Sequence, residues 1–308
     1  MAAFENAWKA FEEKTRSLGI KNLLLWQDGV IRGELHYDEE CIRNAYSATK
    51  SYTATAAGIA IADGLLSLDE RVVDCFPDEL PEGVPPQLEK LTIRHLLGMT
   101  VGQEKPWLMG KTRPVMPTED WVRFVLAQDF ARDPGESFLY TNVGPYLTGV
   151  LIARRAGMPL TDYWYERIFK PQGFFYPSCE VDPLKNTFGA GGLLVTTGHL
   201  LALGRSYLEH DGIVPNEWIA YVKQPSSPYA KNREGHVYGY GAGFWVHAKE
   251  PVDAFADVSQ VDAYLADGKY GQYSVVMEDK GAVLAATSDS PAPYRILAAF
   301  WDDVHPVL

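Results

Sequence analysis

Ser47-Ala48-Thr49-Lys50-Ser51-Tyr52-Thr53-Ala54-Thr55-Ala56-Ala57-Gly58-Ile59-Ala60-Ile61-Ala62 is a run of small and apolar residues in which a serine stands three positions before a lysine. Read as a helix, the run puts hydroxyl and amine on one face, because positions i and i+3 are neighbours on a helical surface. Apolar residues nearly all round describe a buried helix rather than an amphipathic surface one, and Gly64 ends it. Burial matters for chemistry. Removing water from around Lys50 lowers the cost of keeping its amine neutral, and a neutral amine can take the proton that makes a serine hydroxyl nucleophilic. The first amide N–H groups of such a helix have no helical partner and favour negative charge on an attacked carbonyl oxygen. A serine at a helix start is also an ordinary N-cap, so the pair needs company.

Company comes from Tyr140-Thr141-Asn142, the only YxN in the chain, and from Lys269-Tyr270-Gly271, followed by Gln272 and an apolar, strand-like run. The turn Asp133-Pro134-Gly135 delivers Tyr140 between segments 119–131 and 143–156, both helical in pattern. SxxK, YxN and KxG in this order resemble the serine beta-lactamase and penicillin-binding protein superfamily, particularly class C beta-lactamases and the esterases and D-peptidases related to them. The resemblance runs from about Leu23 to Thr287.

That resemblance implies roles. Ser47 would be the nucleophile that forms an acyl-enzyme on an ester, amide or lactam carbonyl, and Lys50 the base that takes its proton directly or through Tyr140. Tyr140 would serve as general acid and base, a task for which a phenol needs positive charge nearby; Lys50 and Lys269 are the candidates to supply it. Asn142 would orient Lys50 or bond a substrate amide. Lys269 is expected on an edge strand facing the serine, with Tyr270 and Gly271 beside the substrate. The backbone N–H groups of Ser47 and Gln272 would form the oxyanion hole. Tyr270 replaces the family's small hydroxyl residue, which weakens a carboxylate-binding, antibiotic reading. An esterase or amidase is therefore expected before a beta-lactamase or D-alanyl-D-alanine carboxypeptidase, with a catalytically silent binding module as the alternative of another class.

The rest of the chain reads as a mixed α/β (α+β) fold. Residues 3–18 carry Phe4, Trp8, Phe11 and Leu18 at near-helical spacing, and Asn22–Gln27 and Val30–Tyr37 flank Asp28-Gly29, a hairpin signal. Residues 238–247, 272–277 and 282–287 read as strands, with a closing helix near 293–303. Strands at both ends with helices between imply an antiparallel sheet assembled from the two termini around a helical insertion. We expect one domain over 1–308, with a sheet lobe of approximately 1–45 and 235–308 and a helical lobe of approximately 46–234. Loops 101–118 and 223–237 would shape the substrate cleft, with Trp107, Tyr238, Tyr240 and Trp245 as candidate lining.

Composition excludes several classes. The chain has 308 residues, 46% hydrophobic and 22% charged, with a net charge of −12. An acidic surface without a basic run repels nucleic acid and anionic lipid. The expected partner is a small acyl substrate, with no nucleic acid or membrane. Three separated cysteines without a CxxC, and an N-terminus without a signal-like apolar core, suggest a reducing, cytoplasmic setting. No GxSxG elbow accompanies His95 or His199, each of which sits at a structural helix start. No HExxH occurs, and His36, His210, His236, His247 and His305 are scattered, so neither metal nor organic cofactor is expected. Glu166 fits a structural helix rather than a deacylating role.

Overall fold

The computed structural model describes residues 2–225, 230–231, 237–248 and 261–308. Helix α1 (Ala2–Thr15) precedes β1 (Ile20–Gln27) and β2 (Val30–His36). Asp28 and Gly29 join the two strands with φ of 49° and 90°, the left-handed pair that a tight hairpin needs and that glycine adopts without penalty. A short β3 (Arg43–Asn44) then leads into α2 (Thr49–Ala62).

The helical part follows, with Val143–Ala156 as its second long helix and Thr197–Glu209 as its last long one. The segment expected to be helical over 119–131 is helical only over Trp121–Leu126, because the chain then turns to bridge Phe130 to Gln103. Strand β4 (Leu194–Val195) pairs with β3 just before Thr197. The chain returns to strands as β5 (Ala230–Lys231), β6 (Val237–Tyr240), β7 (Trp245–Ala248), β8 (Val261–Gly268), β9 (Gln272–Met277) and β10 (Ala282–Ser288). A helix Tyr294–Ala299 follows them.

Eight of these strands form one antiparallel sheet in the order β2-β1-β10-β9-β8-β7-β6-β5. Both faces are covered, so the central strands β9 and β10 are buried at every residue and their sequences run apolar without alternation. One face carries Phe11 of α1 edge-on to Phe300, ring centroids 6.1 Å apart, over Leu23, Leu284 and Val275. The other face packs on the helical part through Tyr264, Val276 and Val283.

Helix α2 runs through this second core, with twelve of its fourteen residues buried. Its small residues let neighbours close in. A Cβ at Gly58 would stand 2.1 Å from Cγ of Trp218, so only glycine admits that ring. Tyr52 stacks on Phe169 at 5.3 Å and 9°. Among the described residues no helix is long and apolar enough to cross a membrane.

Candidate active site

Strand β3, a single 3-10 turn (Tyr46–Ala48) and α2 follow one another without a loop, and Ser47 sits in the turn, partly exposed. Ala45 N–H donates to Leu193 O at 2.7 Å, pinning the strand to β4. Tyr46 bends the chain with φ of 48°, held by its N–H donating to Asn44 Oδ1 at 2.7 Å. Such a conformation costs a bulky residue roughly 1–3 kcal/mol and persists because its surroundings enforce it.

Lys50 lies one helical turn on, 2% exposed. Its Nζ donates to Ser47 Oγ at 3.1 Å and to Ala190 O at 2.8 Å. Burial drives its pKa down from 10.5 to about 7, helped by the positive field of Arg113 and opposed by Asp267. A group poised there exchanges protons readily at neutral pH.

Tyr140 closes the other side. Its hydroxyl is hydrogen-bonded to Ser47, and Lys50 Nζ stands 5.0 Å from its ring centroid. Burial pushes the phenol well above its ordinary value, Ser47 pulls against that, and Asp267 adds to it, so the hydroxyl keeps its proton. The ring stacks on Trp245 at 5.5 Å and 24° and meets Tyr240 edge-on at 5.9 Å. Two of the candidate lining aromatics thus hold the tyrosine in place. Trp107 is tied to the same motif, its carbonyl accepting from Thr141 Oγ1 at 3.4 Å.

Asn142 does something other than orient Lys50. Its Nδ2 donates to Leu108 O at 2.8 Å and so anchors the 101–118 loop, while its buried Oδ1 has no partner among the described residues.

The third motif lies differently from expectation. Lys269, Tyr270 and Gly271 form the turn between β8 and β9, inside the sheet order rather than on an edge strand. Tyr270 and Gly271 have φ of 69° and 94°, and Gly271 N–H donates back to Gly268 O at 3.0 Å. A side chain at a tight turn points to solvent: Lys269 is exposed, its Nζ 4.5 Å above the ring of Tyr270. Tyr270 in turn packs edge-on against Tyr46 at 5.4 Å. Gln272 is 1% exposed, its Nε2 bonded to the carbonyl of Ser288, so it fills the sheet interior rather than an acyl pocket.

The charge that meets Lys50 and Tyr140 from β8 is instead that of Asp267. Burial raises this carboxyl to about 7 against the pull of Lys50. The next residue, Gly268, approaches the Ser47 turn so closely that a Cβ there would stand 2.1 Å from Ala45 O. Sequence reading missed Asp267 because Asp267-Gly268 looks like a turn before a strand. The apolar run Ala263-Tyr264-Leu265-Ala266 in front of it was the available signal that a strand ends there.

Both candidate triad histidines are caps. Nδ1 of His95 accepts from Thr92 N–H at 3.2 Å, and Nδ1 of His199 accepts from Thr196 N–H at 3.0 Å, each within a capping box. Glu166 pairs with Lys170 at 2.7 Å on the surface. Among the described residues no three His, Cys, Asp or Glu side chains are grouped to hold a metal. His236, most of the 223–237 loop and the Tyr238 side chain lie outside the described residues.

Comparison with known proteins gives a family from a sequence model and a fold from solved structures. The beta-lactamase family model matches residues 25–303. A penicillin-binding protein of Bacillus subtilis strain 168 is 27% identical over 133 residues, 41% of this chain and 28% of that protein. The chain spans about a third of the length of the relatives it matches in sequence. EstCE1, a solved hydrolase with promiscuous acyltransferase activity, superposes with a TM-score of 0.74 over 99% of both chains at 18% identity. A solved penicillin-binding protein from Bacillus halodurans gives a TM-score of 0.73 over 96% of this chain and 98% of that one, at 16% identity. With a family model covering most of its length and a sheet-and-helix architecture shared with these structures, the chain belongs to the beta-lactamase family.

Proposed function

We propose that this protein is a serine hydrolase that forms an acyl-enzyme at Ser47, acting as an esterase or amidase. The observation that carries the reading is the buried Lys50 amine 3.1 Å from Ser47 Oγ, with the Tyr140 hydroxyl bonded to the same serine. An ordinary surface lysine would hold its proton at neutral pH. This one, near 7, is free to accept the serine's.

The steps balance. Lys50 takes the proton as Ser47 Oγ attacks the carbonyl, and the tetrahedral oxyanion forms against the N–H of Ser47. The second donor we assign to the N–H of Lys269, which follows Gly268 where β8 abuts the Ser47 turn, in preference to the buried Gln272. Tyr140, a neutral phenol, gives its proton to the departing alcohol or amine and regains one from the Lys50 ammonium. Lys50 is then neutral again, takes a proton from the water that attacks the acyl-enzyme, and returns it to Ser47 Oγ as the acyl–oxygen bond breaks and the acid departs. On this reading Lys50 is the primary base and Tyr140 the relay, and Asn142 acts through the 101–118 loop it holds.

Asp267 argues against the beta-lactamase and D-alanyl peptidase alternatives, since a carboxylate beside the serine repels the carboxylate those substrates carry. The test is labelling with a fluorophosphonate and, separately, with a fluorescent penicillin, in wild type and Ser47→Ala. Labelling by the fluorophosphonate alone, lost in the variant, is expected. Labelling by both probes would favour a penicillin-recognising enzyme, and by neither a silent binding module.

A further inference from the structure

The carboxyl of Asp267 feels the charge of Lys50. Among the described residues no hydrogen bond or salt bridge engages it, and it is partly exposed at the end of β8. Arg113, whose field reaches Lys50, is held by Glu180 at 2.7 Å. Lys50 is the one charge among the described residues that steadies Asp267, and without a hydrogen bond the half-buried carboxylate remains costly to keep ionised, which makes a second, bound cation a natural complement. Beside it stands an aromatic wall. Trp245, paired in register with Leu265 two residues before Asp267, stacks on Tyr140, and Tyr240 meets both rings edge-on at 5.0 and 5.9 Å. Lys50 Nζ already stands 5.0 Å over the Tyr140 ring, so the aromatic wall beside this carboxylate accommodates cationic groups.

We propose that the Ser47 site selects acyl substrates carrying a protonated amine close to the scissile carbonyl, with Asp267 as its counter-charge and Tyr140 and Trp245 as its wall. This deepens the acyl-enzyme reading and rests on it. The geometry fixes the distance class: Gly268, adjacent to Asp267, touches the turn that carries the nucleophile, so the amine lies within a few bonds of the carbonyl carbon. Binding also primes the base. Lys50 and Asp267 each titrate near 7 because burial disfavours both charges while each steadies the other. A substrate ammonium that takes over Asp267 leaves Lys50 without its anion, and the amine sheds its proton when the carbonyl arrives.

The experiment compares two nearly isosteric esters, phenyl β-alaninate and phenyl butyrate, at pH 7 in wild type and Asp267→Asn. Wild type is expected to favour the ammonium ester by roughly tenfold to a hundredfold in kcat/KM, the scale of a hydrogen bond to a charged group. The ratio should fall to about one in the variant, whatever its absolute rates. A second measurement needs no variant: propylammonium should inhibit wild-type turnover of phenyl butyrate competitively, and 1-propanol should not. A wild-type ratio of one or less would overturn the proposal, as would a preference that persists in a folded Asp267→Asn, or equal inhibition by propanol. Fluorophosphonate labelling of Ser47 in the same preparation separates the two levels. Labelled protein that prefers butyrate sinks the ammonium selectivity alone, whereas unlabelled protein that turns over neither ester sinks the acyl-enzyme reading with it.

Discussion

Replacing Lys50 by methionine should stabilise the protein at neutral pH and stop doing so near pH 10. The unfolded chain keeps a lysine protonated up to about 10.5, whereas the folded one holds Lys50 at about 7. Between those values the unfolded state binds the extra proton, so wild-type stability rises with pH across the window. At pH 7 the gap of about 3.5 units corresponds to roughly 5 kcal/mol against folding, an order-of-magnitude figure. Methionine fills a similar volume and removes that term. Against it stands Ala190 O, which loses its donor at 2.8 Å and is left unpaired at a cost of about 1–3 kcal/mol. The balance at pH 7 is a gain of roughly 2–4 kcal/mol. By pH 10 the protonation term has shrunk by about 4 kcal/mol, and the variant should be level with wild type or slightly weaker. Asp267 loses a cationic neighbour in the variant and titrates higher still, which shifts the difference in the same direction. Urea unfolding of both proteins at half-unit steps from pH 7 to 10 measures it, with the m-values compared to confirm that only stability has changed. A difference that stays constant across this range would mean that Lys50 remains charged in the fold, and the reasoning about the base would fall with it.

Other consequences follow from the same geometry. Steady-state kcat/KM on a neutral ester should rise with pH through a limb near 7, since the neutral amine is the active form; a flat profile from 5 to 9 would exclude Lys50 as base. Tyr140→Phe keeps the stack on Trp245 but removes the relay, and turnover should drop by about a hundredfold to ten-thousandfold while the melting temperature changes little. Lys269→Ala leaves the backbone N–H in place and removes an exposed amine, so kcat should change by less than roughly threefold; a loss comparable to Tyr140→Phe would restore the amine to the chemistry. Gly58→Ala forces a methyl into the Trp218 ring and should destabilise by about 1–3 kcal/mol in urea unfolding, without altering the pH profile.

The features legible in the sequence were those fixed by short-range periodicity. The SxxK run is a helix because its small residues suit a fully buried environment, and Asp28-Gly29 is a hairpin because its left-handed pair suits almost no other local structure. Tyr140 reaches Ser47 as the YxN pattern implies. The third motif was misplaced by the same local logic. Asp267-Gly268-Lys269-Tyr270-Gly271 contains two possible turns, and only the pairing of Gly268 with Gln272, set by the registers of β8 against β7 and β9, decides that the strand ends at Gly268. A slip of two residues exchanges a lysine for an aspartate beside the serine and inverts the charge of the site. The support of Tyr140 by Trp245 was equally hidden, since it joins residues more than a hundred positions apart through sheet packing.

The most direct test of the central claim is to quench the wild-type protein with acid during turnover of a phenyl ester and weigh it intact. A covalent adduct with the mass of the acyl group, mapping to the peptide that contains Ser47 and absent in Ser47→Ala, is the expected result. Turnover without any such adduct, or an adduct on another residue that survives in Ser47→Ala, would contradict the account.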